Sequence, residues 1–89
     1  MRAVISVTGK DNVGIIAKVA ALCAAHDANI LDISQTVLGE YFAMIMLVDI
    51  SQLNVKLTQF ADILDGAADL NGLKIHIMHE DIFNSMHRI

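Results

Sequence analysis

The sequence predicts an α+β fold of order βαββαβ, with four antiparallel strands, two helices on one face of the sheet and a short helix after the last strand. Apolar residues alternate over 2–8, 30–38 and 73–78, and they recur at helical spacing over 13–26 and from Leu57 to Ala68. Two βαβ halves of nearly equal length, 2–38 and 41–79, meet at the tight turn Gly39-Glu40. That repetition outlines a ferredoxin-like split βαβ sandwich.

The first strand carries Ala3, Ile5 and Val7 on one side and ends at Gly9-Lys10. An Ala-rich helical pattern follows, with Asp11 or Asn12 placed to cap it. The dense apolar run 41–50 reads as a third strand. The second helix gathers Leu57, Phe60, Ala61, Leu64, Ala67 and Ala68 on one face, with Lys56, Gln59, Asp62 and Asp69 mostly opposite, and Asn71-Gly72 stops it. Leu73, Ile75 and Ile77 then alternate with Lys74, His76 and Met78. The tail opens with Glu80 and Asp81 and closes with His87 and Arg88, the order a helix dipole favours. Its apolar members Ile82, Phe83, Met86 and Ile89 form one stripe. The expected organisation is one domain over 1–89, with a core over 2–79 and a helical tail over 80–89.

Composition excludes several function classes. The chain of 89 residues is 55% hydrophobic, with four aromatic residues and a mean hydropathy of +0.55. This is more apolar than a monomer of this size needs, and implies a surface facing another subunit. A net charge of −4 and a pI near 5.3, with six scattered basic residues, argue against nucleic acid. One cysteine, Cys23, allows neither an intrachain disulfide nor a cysteine metal cluster and fits a reducing, cytoplasmic setting. The run from Tyr41 to Val48 is too short to cross a bilayer, and no secretory signal is apparent, so no membrane role is expected.

The third strand bears on assembly. Phe42, Met44, Met46 and Val48 alternate with Ala43, Ile45 and Leu47, so both of its faces are apolar. Helices can cover one face only; the other needs the C-terminal tail or a second molecule. The first helix poses the same question, since Lys18, His26 and Asp27 are its only strongly polar members. An RNA-binding sheet would carry stacking aromatics. Here the open face is expected to offer Met44, Met46, Met78 and, depending on register, His76. A homodimer is the expected state.

Residues Gly9 to Ile16 carry the chemistry. A strand that turns directly into a helix aims free backbone N–H groups at the space above the turn, which suits an anion. A carboxylate from Asp11 beside those donors suits a zwitterion such as an amino acid, and the alternative is an Asp that simply caps its helix. His76, His79 and His87 lie near Glu80 and Asp81, but His76 and His79 point to opposite faces of a strand and no helical His-x-x-x-His pair exists. No metal site is expected. Without a nucleophile with its base, a phosphate loop or a placed carboxylate pair, neither an enzyme nor a cofactor is expected.

Along its whole length the chain resembles the ACT domain, a βαββαβ module that senses amino acids and other small ligands. The usual ACT loop reads Asp-Arg-Pro-Gly followed by aliphatics; here Asp11 and Gly14 match, while Asn12 and Val13 depart from it. The stretches Asn29 to Thr36 and His79 to Asn84, through Met86-His87-Arg88-Ile89, look like the small stand-alone ACT proteins of bacteria and archaea. These are similar in turn to the repeats of the glycine cleavage system transcriptional repressor. The resemblance implies a ligand between paired domains, touched by Asp11, Asn12, Val13, Gly14 and Ile15 of one subunit and by Asn29 and Ile30 of the other. Backbone N–H groups near Gly14 and Ile15 would take a carboxylate, Asp11 an ammonium, and the Asn29 amide either. The implied function is regulatory: an amino-acid-like effector is sensed and the signal relayed to a protein partner. The alternative is a ligand-free module for pairing or docking.

Overall fold

The computed structural model describes residues 1–10 and 14–86, Asn71 by its backbone alone; the expectations placed on Asp11, Asn12, Val13, His87, Arg88 and Ile89 lie outside the described residues. The elements are β1 (Arg2–Lys10), α1 (Ile15–Ala25), β2 (Asn29–Leu38), β3 (Tyr41–Asp49), α2 (Leu57–Asn71), β4 (Leu73–His79) and α3 (Glu80–Met86). They build one antiparallel sheet of order β2-β3-β1-β4, the ferredoxin-like arrangement the sequence predicts.

Register follows the alternation. Ile5 of β1 lies opposite Met46 and Ile77, and Val7 opposite Met44 and Ile75. Ile5, Val7, Met44, Met46 and Ile75 form one buried layer with Val19 and Cys23 of α1 and Phe60 and Leu64 of α2, and half-buried Ile77 packs at its edge. Strand β1 runs two residues beyond the alternating stretch because Gly9 and Lys10 still pair with Phe42 and Tyr41.

Both main helices end by local rules. At the C-terminus of α1, Asp27 takes φ 59°, and the N–H of Ala28 reaches back to the Cys23 carbonyl at 2.8 Å, a Schellman closure. Asn54, in the loop before α2, staples this end: its Nδ2 donates to the Ala25 carbonyl and its Oδ1 lies 3.1 Å from His26 Nδ1. The His26 ring meets Phe60 edge-on, with centroids 5.6 Å apart. Helix α2 begins with the Lys56 N–H donating to Gln59 Oε1 and ends where Gly72 (φ 66°) donates its N–H to the Ala68 carbonyl.

The open face corrects one expectation. Met44 and Met46 are fully buried beneath the helices, because they lie opposite Val7 and Ile5. Ala43, Ile45 and Leu47 occupy the open face with Val4, Ser6, Thr8, Lys74, His76 and Met78. Helix α3 packs on β1 and β4, tied by Glu80 to Arg2 at 2.7 Å. It covers only one corner: Ile82 and Met86 stay exposed, and so does Ile45. Among the described residues, the tail stripe therefore leaves much of this face open. Nor is α1 covered on its outer side, where Ala17, Lys18, Ala21, Ala24 and Ala25 are exposed.

Candidate functional site at the β1–α1 turn and the start of β2

Helix α1 starts two residues later than its periodicity suggests, so its N-cap is Gly14 rather than Asp11 or Asn12. Gly14 adopts φ 84°, and its carbonyl accepts the first helical bond, from the Lys18 N–H at 3.0 Å. The N–H groups of Ile15, Ile16 and Ala17 thus have no carbonyl within the helix to bond. Ile15 is buried in the core and can present only its backbone to a ligand. A Cβ on Gly14 would meet nothing within 4 Å, so the left-handed backbone alone sets the cost of replacing it. We expect Gly14→Ala to lose about 1 kcal/mol and Gly14→Val somewhat more, measured by urea unfolding.

Asn29 and Ile30 stand at the far end of the sheet. Asn29 lies opposite Asp49, whereas the end of β1 that leads to Gly14 pairs with Tyr41, whose β2 partner is Leu38. The length of β2, about 30 Å for ten extended residues, therefore separates the two groups within one chain. Ile30 is half-buried on the helix side; Asn29 is exposed and lines a shallow hollow of about 460 Å³ with Ala24, Asp27, Ala28 and Gln52. Asp49 beside it keeps its carboxyl below the usual range because the Ser51 backbone N–H donates to it at 2.9 Å.

Beyond its first residues, β2 is an exposed edge. Ile33, Gln35 and Val37 share the helix side with Met46, Met44 and Phe42, yet Val37 is 63% exposed because no helix reaches over it. Sequence reasoning also missed a hollow at the hairpin end of the open face, lined by Thr8, Thr36, Leu38, Tyr41 and Ala43. Their shared location depends on cross-strand register, which leaves no local signal in the sequence. His79 accepts the Asp81 N–H at Nδ1, and His76 lies on the opposite face; among the described residues no three metal-ligating groups converge. None of the described helices is long and apolar enough to cross a membrane.

Comparison with known proteins matches this geometry to a family. Residues 2–78 fit the ACT domain. A UPF0237 protein of Clostridium perfringens is 49% identical over the full length of both chains. The structure of an ACT domain protein from Streptococcus pneumoniae superposes with a TM-score of 0.81 at 40% identity, covering 93% of each chain. A structure described as a glycine cleavage system transcriptional repressor gives 0.75 at 26% identity, with 86% of this chain matched to 44% of that one. With the fold and the relatives in agreement, the chain belongs to the ACT domain family, whose members are generally regulatory modules that bind small molecules.

Proposed function

We propose that this protein is a regulatory module that binds an amino-acid-like effector between two copies of itself and passes the signal to a protein partner. The observation that carries this reading is the placement of the candidate residues at opposite ends of β2. An antiparallel pairing of two β2 edges lays the start of one strand beside the end of the other, and so brings Asn29 and Ile30 of one copy toward the β1–α1 turn of its partner. The effector's carboxylate then meets the backbone N–H groups near Gly14 and Ile15 and the positive end of α1. Asp11 takes the ammonium, Asn12 and Val13 contact the ligand beside it, and the Asn29 amide closes the site from across the interface. Because the ligand touches both copies, binding favours one dimer geometry over others, and that difference is what a partner reads. A cytoplasmic setting suits such an effector.

The test is thermal unfolding against the twenty amino acids at millimolar concentration. A ligand at about one hundred times its dissociation constant adds roughly 2.7 kcal/mol, a rise of roughly 10–20 °C for a domain this small. We expect one chemical class of amino acid to give that shift, and Asp11→Ala to abolish it while the dimer persists. A flat panel from a well-folded dimer would refute the sensor and leave a ligand-free docking module. The exposed Ile82 and Met86 favour that second reading, which predicts a partner lost when Phe83 or Met86 is made charged.

A further inference from the structure

The hollow at the hairpin end of the open face has an apolar wall and a cationic side. Along the open face of β3, Ala43 stands between Tyr41 and Ile45, and its single methyl group leaves a depression of about 320 Å³. Gly39, at φ 62°, and Glu40 form a two-residue turn that sets Leu38 and Tyr41 directly opposite each other as the outer wall. Leu38 is 76% and Tyr41 57% exposed, because α3 packs at the other end of the sheet, beyond the pairing of His79 with Ala3. The volume stands at the lower end of the roughly 300–1,000 Å³ of small-molecule sites, and large apolar side chains left bare around a depression mark such sites.

Register supplies the polar groups. Thr36 and Thr8 flank Ala43 on β2 and β1, Lys74 lies beside Thr8 on β4, and Lys10 lies two residues along β1, opposite Tyr41. Cross-strand neighbours are about 5 Å apart at Cβ, well within the reach of a lysine side chain. A group resting over Thr8 therefore has a hydroxyl beneath it and an ammonium within reach from two directions. Both lysines are exposed, and neither forms an ion pair among the described residues. Asp65 and Asp69 of α2 approach Lys74 from a separate hollow, which leaves Lys10 as the cation nearer the apolar wall. We propose that the hollow binds a small organic acid with an aromatic or branched apolar body and no amino group. The body lies on Ala43 against Tyr41 and Leu38, and the carboxylate sits over Thr8 between Lys10 and Lys74. The two cross-strand rows that carry the site hold two lysines and no carboxylate, so an ammonium on the ligand is repelled. That separates this ligand from the amino-acid-like effector of the β1–α1 turn. The hollow also lies on the face away from α1, so the two sites fill independently.

The test is titration of the full-length protein, followed by backbone amide shifts in NMR, with two pairs of probes that differ only in the amino group: 3-phenylpropanoate against phenylalanine, and 4-methylpentanoate against leucine. The expected result is saturable binding of at least one acid below about 10 mM, with shifts centred on Thr8, Thr36 and Ala43 and an affinity at least about tenfold above that of its amino counterpart. Ala43 and Lys10 are both exposed, so Ala43→Leu, which fills the hollow, and Lys10→Glu, which reverses its charge, leave the chain folded by circular dichroism. Each is expected to weaken the acid at least about tenfold, whereas Lys56→Glu, the same change of charge at the start of α2, and Asp11→Ala leave it unaltered. Absence of saturable binding for both acids would overturn the proposal, as would equal affinity for an acid and its amino counterpart, or affinity unchanged in Ala43→Leu and Lys10→Glu. Binding that Asp11→Ala abolishes would also overturn it, by assigning the acid to the effector site.

Discussion

Phe60→Ala is expected to remove a large share of the stability of this protein. Phe60 is fully buried where α2 crosses the sheet, and its ring also packs in a tilted edge contact with His26, so it joins the core to the stapled end of α1. Truncating a buried phenylalanine costs about 3–5 kcal/mol, through lost transfer energy and the cavity left behind. A domain of this size holds only roughly 5–13 kcal/mol in total. The melting temperature should fall by roughly 15–30 °C, and urea unfolding should show a lower midpoint. Phe60→Leu, which keeps most of the volume, should lose less than half as much. A fall under 5 °C for Phe60→Ala would mean that the α2 layer contributes far less than its burial indicates.

The fold was legible in the sequence because each element obeys its own period. Strands β1, β3 and β4 alternate without interruption, and Gly72 ends α2 as a residue that readily takes positive φ. Strand β2 was less legible. A bulge at Leu31 puts Ile30 and Ile33 on the same side, although three residues apart they should oppose each other. Reading its apolar residues as simple alternation would group Leu31, Ile33 and Val37 on one face. The assignment of Met44 and Met46 to the open face failed for a related reason. Both faces of β3 are apolar, so composition could not say which one the helices cover; pairing with Ile5 and Val7 decides it.

Of the candidate residues, the place of Gly14 before a helix was legible in the sequence, and its distance from Asn29 was not. Gly14 is fixed by its backbone angle, which a sequence announces as a glycine before a helix, but the cap position shifted because Asp11 and Asn12 are also good capping residues. The distance between Gly14 and Asn29 cannot be read from local pattern at all. It depends on strand order, which places β3 between β2 and β1 and sets the two ends of β2 apart. The site proposed here would be incomplete in one chain, and single-sequence reasoning would reach it only through symmetry.

Cys23 offers the second large effect. It faces the core from α1, fully buried, and burial pushes its thiol from an ordinary value of 9.0 up to about 11. At pH 8 the native thiolate fraction is then about one hundredfold below that of the unfolded chain, and the thiolate is the reactive form. Modification by a disulfide reagent or iodoacetamide should be at least about one hundredfold slower in the native protein than in urea, and should proceed through transient opening. An effector that binds only the native state should slow it further, about tenfold for each 1.4 kcal/mol of stability it adds. A native rate within about tenfold of the unfolded rate would mean that α1 opens readily. The same shift sets an alkaline limit: the unfolded thiol ionises first as pH rises through 9, while the native thiol stays protonated until about 11. The stabilisation linked to Cys23 is therefore complete below pH 9, declines across that window and is lost above it. Cys23→Ser should flatten the decline in melting temperature between pH 9 and 11, and an unchanged slope would assign the alkaline lability to other groups.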